Sequence, residues 1–265
     1  MPLVVAAGWN QTADDWRFML AHGQGIGIAE GDRFVASALA LPLGPRLSWL
    51  SMVLVLPEHR KRGFGTRLLR RCIDIVEAQG AVPGLDATEL GRPVYLKLGF
   101  SDLYPVSRLR CERPPTPPPS GCTIRPMRPD DLAAVSAFDA PRSGQARAHV
   151  LENLQARAPD RALVAEKNGR LAGFALGRPG RMTPQVGPVV ADEAAVAADL
   201  TAQALAAVGG PAILDVPDAH AALIRLLAAA GAVRQRGFMR MVLGPAPARL
   251  AEPSAVFALA GPELA

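Results

Sequence analysis

The stretch VLPEHRKRGFGTRLL, from Val55 to Leu69, places basic side chains around two glycines directly after an apolar segment. No acidic residue occurs between Arg60 and Arg71. If a helix begins at Gly63, its unpaired backbone amides and its dipole favour an anion such as phosphate. Glycine lets a ligand approach the backbone, and the basic residues at positions 60–62 add charge-assisted contacts. These residue types in this order predict a pyrophosphate-binding loop.

The spacing of this loop excludes two common nucleotide-binding motifs. A Walker loop requires G-x-x-x-x-G-K-[ST], and a dinucleotide-binding turn requires G-x-G-x-x-G. The sequence instead reads R-x-x-G-x-G from Arg60 to Gly65. Neither ATP nor NAD is therefore indicated as the ligand.

The loop must be positioned by the strand before it and the helix after it. The helix is expected to bury one apolar stripe, formed by Phe64, Leu68, Leu69, Cys72, Ile73 and Val76. Strands are predicted at about 26–30, 33–41, 47–55, 82–87 and 103–111, with helices from Gln11, at 63–78 and at 91–98. Thr12 is the expected N-cap of the first helix. This order of elements predicts an α+β fold in three layers, with a central sheet flanked by helices.

A proline-rich segment divides the chain into two related halves. IAEGDRFVASALA from Ile28 resembles VAEKNGRLAGFALG from Val164, and each reads as a hairpin. The second half opens with a strand and a helix where the first half has only MPLVVAA, so the first repeat lacks its opening strand or begins upstream of Met1. The predicted organisation is a first domain at 1–112, a linker at 113–121, a second domain at 122–247 and a tail at 248–265.

Composition narrows the function classes. The net charge of +5 over 265 residues rests almost entirely on arginine, and aromatic residues make up only 5%. Nucleic acid is therefore not an expected partner. The three cysteines lack metal-ligand spacing, so no metal site is expected and a reducing, cytoplasmic location is predicted. No run of apolar residues is long enough to predict a membrane span.

Two motifs in order identify a family resemblance. Val53, Val55, Pro57, Arg60, Gly63 and Gly65 form V-x-V-x-P-x-x-R-x-x-G-x-G, which resembles the acetyl-CoA loop of the GNAT N-acetyltransferases. LDATELGRPVYLKLGF, from Leu85 to Phe100, resembles the second signature of that family, a strand and then a helix ending in Y-x-x-x-G-F. The whole sequence is similar to bacterial tandem proteins of this superfamily. The resemblance implies two tandem acyl-CoA N-acyltransferase folds, each with a mixed, mainly antiparallel sheet.

The resemblance also implies acetyl-CoA as co-substrate and a set of residues that bind it. Backbone groups of Val53, Leu54 and Val55 would pair with the pantetheine arm. The pyrophosphate would lie on Arg60, Lys61, Arg62, Gly63, Phe64, Gly65 and Thr66. Thr88 stands where the family often has a cofactor-binding asparagine, so this substitution leaves that contact in question.

Acetyl transfer needs a proton for the departing thiolate, and the resemblance assigns that role to Tyr95. The alternative is a helix tyrosine that only packs. No carboxylate lies between Arg33 and Pro57, where the family often has its general base. Asp86 is a candidate base, but a strand-end aspartate satisfied by backbone groups is the favoured interpretation, and water could carry the proton instead.

The acceptor is predicted to be a small-molecule amine or an amino-terminal group. Trp9, Asn10 and Gln11 form the candidate substrate contacts, because they combine a flat apolar surface with amide groups. The competing interpretation is that Trp9 packs on the start of the first helix while the two amides cap it. The oligomeric state is left open by the sequence.

The second half is predicted to lack activity. Its counterpart of the glycine loop, Val189 to Leu200, has no glycine and no arginine, and its acids would repel a pyrophosphate. Leu227 takes the position of the tyrosine. The apolar tail AVFALAGPELA is expected to dock on a neighbouring surface. Because a base is missing, a non-catalytic CoA-binding sensor or scaffold stays open as the alternative to an acetyltransferase.

Overall fold

Twelve strands join in one sheet within residues 1–245 and 253–265, which are the residues that this computed structural model describes. The strands are β1 (Gln24–Glu30), β2 (Arg33–Pro42), β3 (Leu47–Val55), β4 (Val82–Ala87), β5 (Phe100–Cys111), β6 (Thr123–Pro126), β7 (Leu163–Lys167), β8 (Arg170–Arg178), β9 (Gln185–Ala191), β10 (Ala212–Pro217), β11 (Val233–Leu243) and β12 (Val256–Ala258). The α-helices are α1 (Pro2–Ala6), α2 (Ala13–His22), α3 (Phe64–Ala78), α4 (Arg92–Lys97), α5 (Leu132–Ser143), α6 (Ala148–Arg157), α7 (Ala194–Val208) and α8 (Ala221–Ala229).

Local sequence signals place the helices of the first half. Thr12 caps α2 as predicted, because its hydroxyl accepts from the Asp15 amide at 3.2 Å and the Asp15 carboxylate accepts from the Thr12 amide at 2.6 Å. The apolar stripe of α3 is buried against the sheet from Leu68 to Val76. The segment before α2 is the short helix α1 and contains no strand.

The sheet is continuous because the two halves exchange their last long strands. The strand order is β1-β2-β3-β4-β11-β5-β10-β9-β8-β7-β6, with β12 added on β9. Strand β11 of the second half therefore lies beside β4 of the first half, and β5 of the first half lies beside β10 of the second. At the centre, β5 and β11 pair antiparallel along most of their length. Each half is completed by a strand from the other.

The sheet splays open at equivalent places in the two halves. In the first half, the parallel strands β3 and β4 pair only from Leu47 to Trp49 and then diverge. In the second half, β9 and β10 pair at one position, Gln185 with Ile213. The predicted fold class, a mixed sheet with flanking helices, is confirmed, since α3 packs on β2 and β3 while α7 packs on β8 and β9.

No helix among the described residues is long and apolar enough to cross a bilayer.

Candidate active site

A cavity of about 1030 Å³ occupies the opening between β3 and β4. Its wall combines β3, the start of α3, the loop before α4, part of β11 and the segment at 262–263. The sequence-predicted residues that line it are Trp9, Gln11, Val53, Leu54, Val55, Arg60, Lys61, Gly63, Phe64, Gly65, Thr66, Thr88 and Tyr95, together with the candidate base Asp86. Most of the predicted cofactor and substrate residues are thus brought to one cavity.

Two predicted residues do not line the cavity. Arg62 forms an ion pair with Glu30 at 2.9 Å, and its guanidinium lies 4.6 Å from the centre of the Phe64 ring. Asn10 is buried, with its amide nitrogen donating to the Thr183 carbonyl at 2.8 Å and its oxygen accepting from the Met182 amide at 3.0 Å. The structure therefore places Arg62 beside the loop and Asn10 in a contact between the two halves.

The start of α3 faces the cavity with its backbone amides uncapped. Gly63 precedes the helix with φ of +77°, a left-handed conformation that favours glycine. Among the described residues, no side chain caps this helix, and the first intrahelical bond runs from the Arg67 amide to the Gly63 carbonyl at 3.0 Å. Residues 63–66 line the cavity and carry the free amides of the first turn. The position suits an anionic group, as the sequence predicts.

A bulge in β3 forms the opposite wall. Between Ser51 and Leu54, β3 has one more residue than the facing segment of β2. Met52 at this bulge has φ of +53°, which is uncommon for a residue other than glycine. The Ser37 hydroxyl donates to the Met52 carbonyl at 2.9 Å and fixes this conformation. Because a bulge redirects backbone groups out of the regular ladder, this part of β3 can present amides to a bound molecule.

Tyr95 lies on α4 at the cavity wall. Burial raises the pKa of Tyr95 to about 12, so the phenol is protonated at physiological pH and can donate a proton. Thr88 also lines the cavity, but its hydroxyl accepts from the Gly91 amide at 3.2 Å and so closes the turn that leads into α4. Thr88 therefore helps to position Tyr95.

The second half contributes one wall of the cavity through β11. Residues 235–238 line it, including Arg236 and Phe238. On the same strand, Arg240 donates from Nε to Oδ1 of Asp86 at 2.9 Å and from Nη2 to Oδ2 at 2.8 Å. This guanidinium, and not backbone groups, satisfies Asp86. Sequence reasoning missed these contacts because nothing in the local pattern of β11 indicates which half it joins.

The last residues of the described chain form the remaining wall. Trp49 donates from its indole nitrogen to the Pro262 carbonyl at 2.9 Å, and this bond holds the segment against β3. The next side chain, Glu263, lines the cavity yet is only 2% exposed. Residues 256–260 are buried, which confirms that the apolar tail docks on a neighbouring surface.

The same tail fills the opening of the second half. Strand β12 pairs with β9, and the Leu259 amide donates to the Asp215 carbonyl of β10 at 2.9 Å. The gap between β9 and β10 is therefore bridged by the protein's own chain, where the first half has a cavity between β3 and β4. Leu227 is fully buried in the core of this half. The tail thus closes the site that the sequence already predicts to have lost its anion-binding loop.

Comparisons with known proteins agree with this architecture. The profile described as "Acetyltransferase (GNAT) family" matches residues 6–100, and the profile described as "Acetyltransferase (GNAT) domain" matches residues 135–254. The uncharacterized N-acetyltransferase YitH of Bacillus subtilis strain 168 is 26% identical over 219 residues, which are 82% of this chain and 77% of YitH.

Solved structures share the fold over nearly the whole chain. An inferred acetyltransferase from Pyrococcus horikoshii superposes with a TM-score of 0.81 at 20% identity, covering 98% of this chain and 89% of that one. A tandem GNAT protein from the clavulanic acid biosynthesis pathway superposes with a TM-score of 0.59 at 16% identity, covering 92% of this chain and 94% of that one. At these identities the likeness is one of fold.

Proposed function

The chain belongs to the GNAT acetyltransferase superfamily and carries two GNAT domains in tandem, and from this premise we propose that its first half transfers an acetyl group from acetyl-CoA to a primary amine. The acceptor is a small molecule or an amino-terminal group that attacks directly while both substrates are bound. The observation that carries the proposal is the cavity on which the uncapped start of α3 and the Tyr95 side chain both lie.

The residues that line the cavity suit acetyl-CoA. The free amides of residues 63–66 and the cations of Arg60 and Lys61 suit its pyrophosphate. Beyond Trp49, the edge of β3 has no partner from β4 among the described residues, so it can pair with an extended amide-containing arm. Bound here, acetyl-CoA supplies the thioester that is the acetyl donor.

The chain's own groups can support each part of the transfer. An amide of the β3 bulge donates a hydrogen bond to the carbonyl oxygen as negative charge develops there. The amine lone pair forms the new C–N bond while the C–S bond breaks, and the Tyr95 hydroxyl gives its proton to the departing sulfur. The amine loses one proton as the amide forms. Transfer of that proton to the Tyr95 phenolate restores the phenol.

Calorimetry tests the binding step. We expect one acetyl-CoA to bind per chain, because β12 fills the opening of the second half. Thiol release over a panel of amines then tests transfer. Binding without turnover on any amine would favour a CoA-binding sensor or scaffold. Absence of binding would exclude both the acetyltransferase and the sensor or scaffold.

Neutralising the loop cations should weaken acetyl-CoA binding. Replacing Arg60 and Lys61 together by glutamine removes two cations from the cavity wall, and we expect Kd to rise about tenfold or more. The matched control is Arg70→Gln with Arg71→Gln, which removes the same charge from the exposed face of α3. If both double variants bind equally well, the loop side chains do not contact the pyrophosphate.

A further inference from the structure

The loop between α1 and α2, residues 7–12, meets two different surroundings. Trp9 and Gln11 line the cavity, whereas Asn10 between them does not. Asn10 is only 4% exposed and is bound by the loop between β8 and β9, residues 179–184, which belongs to the second half. The two candidate substrate contacts on the cavity wall therefore flank a residue that the other half of the chain holds.

The Asn10 side chain makes three hydrogen bonds to the β8–β9 loop. Its amide nitrogen donates to the Thr183 carbonyl at 2.8 Å, and its oxygen accepts from the backbone amides of Met182 at 3.0 Å and Thr183 at 3.2 Å. The fit is close, because a Cβ on Gly180 would overlap both the Asn10 amide and the Thr183 carbonyl. The Asn10 amide is thus used inside the protein, in a contact between the halves.

The main chain of the α1–α2 loop is held by the same β8–β9 loop. The Arg181 amide donates to the Asn10 carbonyl at 2.7 Å, and Arg181 Nε donates to the Trp9 carbonyl at 2.9 Å. Two successive carbonyls are therefore fixed from the second half. The backbone that carries the Trp9 and Gln11 side chains cannot shift without breaking these hydrogen bonds.

A related contact occurs once more with the two halves exchanged. The loop between α5 and α6, residues 144–147, corresponds in order to the α1–α2 loop, and the loop between β2 and β3, residues 43–46, corresponds to the β8–β9 loop. Here the Ala146 amide donates to the Leu43 carbonyl at 2.9 Å, and a Cβ on Gly44 would lie 3.0 Å from that of Ala146. Neither of these loops lines the cavity. The second contact therefore provides a matched control for the first.

We propose that the second half positions the acceptor-binding loop of the first half. The β8–β9 loop fixes residues 9–11 through Asn10 and Arg181, so that Trp9 and Gln11 meet the amine in one arrangement. A loop that is already ordered lowers the cost of binding the amine. Asn10 is then a positioning residue. This inference rests on the proposed acetyl transfer and gives the second half a role in acceptor affinity.

The proposal separates acceptor binding from cofactor binding. Acetyl-CoA is expected on β3 and on residues 63–66, which belong to the first half. Loosening residues 9–11 should therefore weaken the amine and leave the Kd of acetyl-CoA within about twofold of the wild-type value, as expected for independent sites. General destabilisation of the fold would weaken both ligands together.

Two variants break the contact from opposite sides in the full-length protein. Asn10→Ala removes the three hydrogen bonds, and Gly180→Ala introduces the overlap from the second half. Thiol release from acetyl-CoA is measured with ethanolamine, phenethylamine, putrescine and a trialanine peptide. Each variant should raise KM about tenfold for every one of these amines that the wild type acetylates. Unchanged KM in both variants would contradict the proposal.

Gly44→Ala is the control at the related contact. It brings a Cβ against Ala146, and the φ of +114° at Gly44 also disfavours a side chain, so its melting temperature should fall. Its KM for the amines should stay at the wild-type value, because neither loop at this contact lines the cavity. Equal rises of KM in Gly44→Ala and Gly180→Ala would assign the effect to lost stability and overturn the positioning role.

Hydrogen exchange tests the contact without any acceptor. Amides in the peptide covering residues 7–12 should exchange about tenfold faster or more in Asn10→Ala and Gly180→Ala, while peptides of α3 exchange as in the wild type. Wild-type exchange at residues 7–12 in both variants would refute the proposal whichever amine is used. If the wild type binds no acetyl-CoA and acetylates none of the amines, the proposed function fails, and hydrogen exchange still decides whether the second half orders the loop.

Discussion

A Tyr95→Phe variant should bind acetyl-CoA normally and lose roughly 10²–10⁴-fold in kcat, the range expected when a general acid is removed. The substitution deletes only the hydroxyl, and the ring keeps its place near Phe100, with 6.0 Å between ring centres. The departing sulfur would then lose the phenol as its proton donor. Single-turnover thiol release and calorimetry measure the two effects separately.

Tyr104 provides a control for the loss of a phenol. It is the other of the two tyrosines, and its hydroxyl accepts from Arg240 at 3.3 Å without lining the cavity. Tyr104→Phe should therefore retain its turnover. Because burial raises the pKa of Tyr95 to about 12, the phenol stays protonated below that value and should cause no decline in the wild-type rate up to pH of about 10. Unchanged kcat in Tyr95→Phe would assign the tyrosine a packing role.

The uncapped start of α3 could be predicted because its information is local. Gly63 has to adopt a left-handed conformation, and the next turn of helix has to expose its amides. Both requirements depend only on a few neighbouring residues. The capped start of α2 is readable for the same reason. Short-range signals therefore located the elements, and most of the site residues that they predicted line the cavity.

The cavity wall formed by β11 and residues 262–263 could not be predicted because it depends on pairing between distant strands. An alternating strand such as β11 has the same local pattern whichever strand it joins, and only the assembled sheet places Arg236 and Arg240 in the first half. Glu263 lies outside any motif, and its place depends on β12 pairing with β9. The boundaries of the two domains along the chain remain a prediction. In the folded protein, each half contains a strand of the other, since β11 pairs with β4 and β5 pairs with β10.

The exchanged strands should make the Asp86–Arg240 pair a large contributor to stability. Both side chains are almost fully buried, at 1% and 5% exposure, and they join β4 of the first half to β11 of the second. Arg240→Met leaves the Asp86 carboxylate buried without its cation, and such a loss costs about 3–5 kcal/mol. Urea denaturation should report this as a lower midpoint.

Two comparisons distinguish an unpaired charge from lost packing. Lys167→Met breaks an exposed pair with Glu193 and should cost less than about 1 kcal/mol. Combining Asp86→Leu with Arg240→Met removes both charges and should recover most of the stability, because no buried ion then lacks a partner. A double variant as unstable as Arg240→Met would assign the effect to packing around Trp49, whose ring centre lies 4.5 Å from the guanidinium.

The pH dependence of the Arg240→Met deficit gives an independent test. Burial raises the pKa of Asp86, and removing Arg240 takes away the cation that opposes this rise. A carboxyl whose folded-state pKa is raised favours folding below that pKa and loses this contribution as the pH rises through it. As the pH falls from neutral to about 5, Arg240→Met should therefore gain stability relative to the double variant, which has no carboxyl at position 86 to titrate.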